Sequence, residues 1–414
     1  AAGRHRPTGG PTLGAAPTSP SSSADMTASA LTRPGERDRL IVKLGELDWR
    51  LTAVLCLIAG AGTLMLYSIA GGHWNPWAGQ HVALFSVFLL LMIALAVTDL
   101  RVWFVVAYPT YVVGLLLLMA VMVVGHSALG AARWLKIGPI HLQPSEIMKI
   151  GLVLALARFY HGLSAKEAQL SWKLLIPLAM IAVPVALVLK QPDLGTGILL
   201  AATGLLIMML AGLSLRLILA GVAAAALATP AFFYLVLKGH LLKGYQATRF
   251  MTFIKPDADP SGAGYHILQA KIALGSGGIL GRGYGLGSQS QLNFLPEKQT
   301  DFIFATLAEE FGFLGCVSIL VLYAAAILIA IRIAATSHSH FGRLSAAGVT
   351  ATFALYVLIN GAMVMGLAPV VGVPMPLLSF GGTVMLTVMV GFGLVQSVRV
   401  HRYTEVARAT GALV

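Results

Sequence analysis

Charge is what this sequence has least of: Asp, Glu, Lys and Arg together make up 11% of its 414 residues. A soluble domain carries about 25%. With 57% hydrophobic residues and a mean hydropathy of +0.83, that shortage excludes an ordinary soluble globule and reads as an integral membrane protein. Cysteine is almost missing too. Cys56 and Cys316 both sit inside apolar runs, where a small buried hydrophobe is the expected role and a disulfide framework is not. No helix-turn-helix, zinc-ligand spacing or aromatic-studded sheet pattern is present, so the net charge of +12 is not read as a nucleic-acid signal. Lysine and arginine retained in cytoplasmic loops account for it.

What is present is a series of apolar runs, most at least about 17 residues long, the length a spanning helix needs. They fall at 48–70, 81–98, 103–125, 146–161, 173–190, 195–212, 216–237, 303–332, 343–366 and 381–398. The fold class is therefore an all-α polytopic membrane protein of about ten transmembrane helices. The run at 146–161 is short and starts on polar residues. An even number of spans puts both termini on one side. Arg101, Arg158, Lys166, Lys173, Arg216, Arg332, Arg343, Arg399 and Arg402 lie on that side, which makes it cytoplasmic.

Residues 1–44, rich in Pro, Gly, Ser, Thr and Ala, read as a disordered cytoplasmic tail, with Met26 a candidate start. Residues 45–402 form the transmembrane domain and 403–414 a short cytoplasmic tail. Between the seventh and eighth spans, residues 238–300 form a long extracytoplasmic loop. Apolar stripes through Phe250 and Ile254, and through Tyr265, Ile267, Leu268, Ile272 and Leu274, suit short helices along the membrane interface. Arg133 and Lys136 in the outer loop at 126–145, and Arg249, Lys271 and Lys298 in the long loop, are either a solvated surface or a site for an anion, most naturally a phosphate.

Acids at a membrane boundary mark the functional candidates, because carboxylates next to lipid are costly. Glu297, Lys298 and Asp301 lie in a polar loop that runs into a span still holding Glu309 and Glu310. Asp301 reads either as a helix cap or as a general base whose basicity burial would raise. Glu309 and Glu310 are structural or coupling groups, an interhelical hydrogen bond and a catalytic role being equally compatible.

In Gln143-Pro-Ser-Glu-Ile-Met-Lys149, Ser145 reads as an N-cap and Glu146 as a first-turn acid. Lys149, three residues on, shares Glu146's face and can pair with it. Trp134 suits stacking on a sugar or anchoring at the interface. Asp193, in Gln191-Pro-Asp-Leu-Gly-Thr196, is a turn residue or, with Glu146, a ligand for a divalent cation bridging a pyrophosphate. The run Gly275–Gly287 is neither a Rossmann fingerprint nor a P-loop and reads as a flexible lid. Ser379, Gly381 and Gly382 mark a broken start to the last span, and Asn360 reads as an interhelical hydrogen bond.

Leu295-Pro-Glu-Lys-Gln-Thr-Asp-Phe-Ile-Phe, followed by Ala-Glu-Glu-Phe-Gly, resembles the signature of the SEDS family, the polytopic shape, elongation, division and sporulation proteins. Arg133-Trp134, Gln143–Lys149, Gln191–Thr196 and Pro376–Gly382 support it, so the resemblance covers the whole membrane region. Gly287–Glu297 and Pro369–Leu378 look more like the RodA branch, of elongation, than the FtsW branch, of division. Gln299 stands where many relatives have His.

The resemblance implies a peptidoglycan glycosyltransferase of the inner membrane that polymerises lipid II outside the cytoplasm, with Asp301 essential. It implies a class B penicillin-binding protein and the MreC and MreD elongation machinery as partners. A divalent cation, Mg or Mn, is expected and no organic cofactor. The rival readings are a lipid II flippase and a non-catalytic scaffold for a penicillin-binding protein.

Overall fold

The computed structural model describes residues 36–124, 126–128, 131–137, 140–164, 167, 172–214, 216–221, 223–224, 226–227, 234 and 263–406. Two units are distinguished, residues 1–45 and 46–414. In the first, helix α1 covers Glu36–Gly45, inside the segment whose composition suggested disorder, and exposes Leu40, Ile41 and Val42.

The second unit holds the apolar helices. In chain order they are α2 (Trp49–Ile69), α3 (Ala78–Ala96), α4 (Leu100–Val124), α5 (Pro144–His161), α6 (Leu175–Lys190) and α7 (Leu194–Leu210). They continue with α8 (Ala263–Ser276), the short α9 (Ser288–Gln291), α10 (Ile303–Thr336), α11 (His340–Val364) and α12 (Gly382–Val400). Nine of the ten expected spans thus coincide with described helices. Of the tenth, 216–237, residues 216–221 are helical and most of the remainder lies outside the described residues.

Helix α5 explains why its run looked short and polar. It packs against α4, α6, α7, α11 and α12, and nearly all its side chains are buried in protein rather than turned to lipid. Its contact with α4 is close: a Cβ on Gly151 would lie 3.0 Å from the Tyr111 Cα. Helix α12 is similarly enclosed, whereas α3 and α4 show most of their surface. Glu146 and Lys149 can occupy α5 because both are buried in protein.

Two features were not anticipated. Strands β1 (His126–Ala128), β2 (Ala131–Ile137) and β3 (Ile140–Leu142) form a small antiparallel sheet in the loop before α5, with His126 opposite Trp134 and Leu135 opposite Leu142. The second is a break inside α10, where Gly312 takes φ 65° and ψ −160°. The glycine-rich run fills that break. Phe313 and Leu314 donate their amides to the carbonyls of Gly278 and Ile279, and the amides of Arg282 and Gly283 bond to the carbonyls of Glu309 and Glu310. Backbone groups freed by the break are therefore satisfied at a depth where water is scarce.

The run is thus a packed insert and not the flexible lid expected. Its glycines are needed because backbone meets backbone. Gly281 has φ 82°, and a Cβ there would run into the Glu310 carbonyl; Gly278 has φ 55° but open space around it. We expect Gly281→Ala to destabilise the protein by about 2–4 kcal/mol, from strain plus clash, and Gly278→Ala by only about 1. Thermal unfolding in detergent measures both, and equal shifts would show that the insert is not wedged against α10.

Candidate active site

The segment leading to Asp301 is folded tightly on itself. Asn293 and Glu297 take positive φ (59° and 50°), and the carbonyl of Glu297 accepts the amides of Thr300 and Phe302 at 3.1 and 3.3 Å. Lys298 points inward. It is 8% exposed and donates to Asn293 Oδ1 at 2.8 Å and to the Ser290 carbonyl, while burial pushes its ammonium pKa down. This corrects the expectation that Lys298 meets an anion: it is the pin of the loop.

Beyond that pin, three successive carbonyls are held from one side. Phe380 N–H donates to Gln299 O at 2.8 Å, Ser379 Oγ to Thr300 O at 2.6 Å, and Asn360 Nδ2 to Asp301 O at 2.8 Å. Phe302, not Asp301, occupies the N-cap of α10. The half-buried Asp301 instead lines a cavity of about 960 Å³.

Several parts of the fold enclose that cavity with Asp301. Gln80, Leu84 and Phe88 come from α3, and Trp134 from β2. Glu146 and Lys149 come from α5, Asp193, Thr196 and Leu199 from the start of α7, and Tyr356 from α11. Val370–Pro374 and Phe380–Thr383 supply the remaining wall, with Glu297 on the rim and His266 of α8 beside it. The lining mixes apolar surface with a few convergent polar groups, as a ligand cavity does.

The expected Glu146–Lys149 pair is present and deep. The Lys149 ammonium lies 2.6 Å from Glu146 Oε1, with the residues 2% and 3% exposed. Tyr356 completes the cluster: its hydroxyl accepts from Lys149 and lies 3.0 and 2.9 Å from the two Glu146 oxygens. Helix α5 begins two residues before expectation, with Gln143 at the N-cap and Pro144 in the first turn, so Ser145 is not its cap. Asp193 caps α7, accepting from Thr196 N at 3.2 Å and Thr196 Oγ1 at 3.0 Å.

These contacts bear on a divalent cation. Glu146 is engaged by a lysine and a tyrosine and Asp193 by Thr196. Among the described residues no cluster of three or more His, Cys, Asp or Glu side chains stands ready for a metal. Glu146 and Asp193 as arranged do not fit a resident metal centre.

Other expected site residues lie elsewhere. Glu309 is 0% exposed and accepts from Ser288 Oγ and Gln289 N at 3.0 Å each, with Arg282 4.0 Å away. Glu310 accepts from Ser68 Oγ at 2.5 Å. Both acids therefore fasten the insert and α2 to α10, and neither lines the cavity. Lys271 is exposed and lays its stem against Gly366. Ser379 sits beneath the Asp301 loop, while Gly381 and Gly382 do reach the cavity. Arg249 lies outside the described residues, as do the side chains of Arg133 and Lys136 on β2.

Sequence reasoning missed Tyr356 and His266 and undervalued Asn360. One signal was available: Tyr356 and Asn360 are polar residues four apart in an apolar span, so they share a helix face. His266, whose ring stacks on Phe302 with centroids 6.2 Å apart, gave no comparable sign.

Comparison with known proteins gives a consistent picture. The family model described as cell cycle protein, covering FtsW, RodA and SpoVE, matches residues 48–404. The chain is 42% identical over 360 residues to the peptidoglycan glycosyltransferase MrdB of Escherichia coli K12, covering 86% of this chain and 94% of the relative. It is 32% identical over 367 residues to a probable peptidoglycan glycosyltransferase FtsW of Trichlorobacter lovleyi, with the same shares covered. Among solved structures it resembles a chain from a peptidoglycan synthase complex that coordinates polymerization and crosslinking, with TM-score 0.74 and 31% identity over 86% of this chain and 98% of that one. The rod shape determining protein RodA of Thermus thermophilus gives TM-score 0.64 and 28% identity over 86% and 98%.

Proposed function

We propose, from the premise that this chain belongs to the SEDS family and is an integral membrane peptidoglycan glycosyltransferase, that it polymerises lipid II in the cavity around Asp301. One observation carries the assignment of the site. Asp301 faces the same cavity as Trp134, Glu146, Lys149 and Tyr356, and its backbone is fixed by Asn360.

In this mechanism Asp301 takes the proton from the 4-hydroxyl of the acceptor sugar as that oxygen attacks the anomeric carbon of the donor. A new carbon–oxygen bond forms, the bond from the anomeric carbon to the pyrophosphate oxygen breaks, and undecaprenyl pyrophosphate leaves with the electron pair. Configuration at that carbon inverts. Such proton transfer contributes typically about 10²–10⁴-fold to rate. Lys149, held by Glu146 and Tyr356, faces the charge developing on the leaving group. Apolar wall contributed by Leu84, Phe88 and Leu199 suits an isoprenoid chain, and Trp134 suits a sugar face. Holding donor and acceptor in line contributes as much as the base.

The remaining elements of the proposal are cellular. Greater similarity to MrdB than to FtsW supports a role in elongation, beside a class B penicillin-binding protein that crosslinks the strands and with MreC and MreD. The protein then lies in the inner membrane with both termini cytoplasmic and the cavity open to the outside. The test is direct. The purified full-length chain, given lipid II, should build glycan polymer that lysozyme digests. Absence of polymer, together with movement of lipid II between the leaflets of vesicles, would overturn the proposal in favour of transport.

A further inference from the structure

Resting on the assignment of Asp301 as the base, we propose that Asn360 and Ser379 are positioning residues that aim its carboxylate, and that α11 sets its distance from Lys149. The Asp301 side chain leaves a backbone whose carbonyls at 299, 300 and 301 are all held by donors from the 360–380 region, at 2.8, 2.6 and 2.8 Å. Fixing successive peptide planes fixes the dihedral angles between them, and with them the Cα–Cβ direction at residue 301.

The donors are themselves immobile. Asn360 is 0% exposed and its amide makes a second bond, to the Val373 carbonyl at 2.7 Å. Ser379 is 4% exposed and accepts from Met375 N at 2.9 Å, while Tyr323 anchors the same loop through the Pro376 carbonyl at 2.6 Å. Breaking these bonds would leave buried donors unsatisfied at membrane depth, which is costly and favours keeping the clamp formed.

Helix α11 connects the clamp to the other half of the site. Asn360 follows Tyr356 by four residues, on the same face and about 6 Å further along the axis. Tyr356 holds Lys149 and Glu146, and Asn360 holds Asp301. One turn of one helix therefore gauges the separation of the base from the ammonium expected to face the leaving group.

The test uses the full-length chain in detergent with lipid II. Asn360→Leu keeps the branched shape and removes both donors; Ser379→Ala removes a single oxygen and provides a milder version. Each is expected to lower kcat by about 10–100-fold while KM for lipid II stays within about 3-fold, since geometry at the reacting atoms is what changes. Ser397→Ala, which breaks a buried bond to the Thr98 carbonyl (2.7 Å) near the far end of α12, is expected to keep kcat within about 2-fold.

Unchanged kcat in both clamp variants overturns the proposal, as does a rise in KM alone. An equal kcat loss in Ser397→Ala overturns it too, by marking the effect as generic. If Asp301→Asn is inactive and the clamp variants are fully active, only the clamp fails. If Asp301→Asn is itself fully active, the underlying assignment of the base fails.

Discussion

Asp301→Asn is expected to give a folded membrane protein that polymerises lipid II at least about 100-fold more slowly than the parent, and up to about 10⁴-fold. The substitution preserves size and removes the proton-accepting charge. It should also preserve the fold, because the bonds that hold residues 299–301 are accepted by main-chain carbonyls, which the substitution leaves in place. Asn360 bonds to the Asp301 carbonyl, Ser379 to that of Thr300 and Phe380 to that of Gln299. Nor is a helix cap lost, since Phe302 takes that position. The expected signature is thus lost kcat with an unaltered melting profile and retained binding of lipid II. Polymer made at the parental rate would remove Asp301 as the base, and a protein that no longer folds would return it to a structural role.

The second large effect concerns the cluster under the cavity. Lys149→Met is expected to destabilise the protein by about 3–5 kcal/mol, because it leaves Glu146 buried with its charge uncompensated. Little solvent screening is available at 2–3% exposure. Tyr356 cannot take over, since a single hydroxyl donates only one hydrogen to two carboxylate oxygens. The double variant Glu146→Gln, Lys149→Met should regain most of that stability, as neutral groups of similar volume replace a desolvated pair. Neither should make polymer if Lys149 meets the leaving group's charge. Thermal unfolding of the single and double variants gives the coupling, and a double variant as unstable as the two losses added together would show that the pair does not act as a unit.

The sequence displayed the membrane architecture well because the signal for a span is a sum over many residues. The same sum hid the break in α10, since Gly312 scarcely changes the hydropathy of a 34-residue helix while its own dihedral angles leave the helical region. Glu146 and Lys149 were legible as a pair from their spacing alone. Lys298 was not, because a lysine's charge says nothing of which way its stem turns, and Asn293 and Ser290 turned it inward. For the same reason the glycine-rich run suggested mobility. Glycine permits flexibility and tight packing alike, and only the partner, here the carbonyls of Glu309 and Glu310, decides between them. Three strands before α5 escaped notice because the longest covers only Ala131–Ile137.

The interruption at Gly312 has a mechanical corollary. When a bilayer thins or thickens, its spanning helices tilt to match. Were α10 one straight rod, that tilt would swing the aspartate ahead of its first residue through several ångströms, since Ile303–Phe311 extends about 14 Å from the interruption. The insert instead bridges the break, bonded to Glu309 and Glu310 on one side and to Phe313 and Leu314 on the other, and the stub ahead of it is moored to α2 through Ser68 and to the insert through Gln289. The position of the aspartate then depends on these short-range moorings more than on the tilt of the long rod.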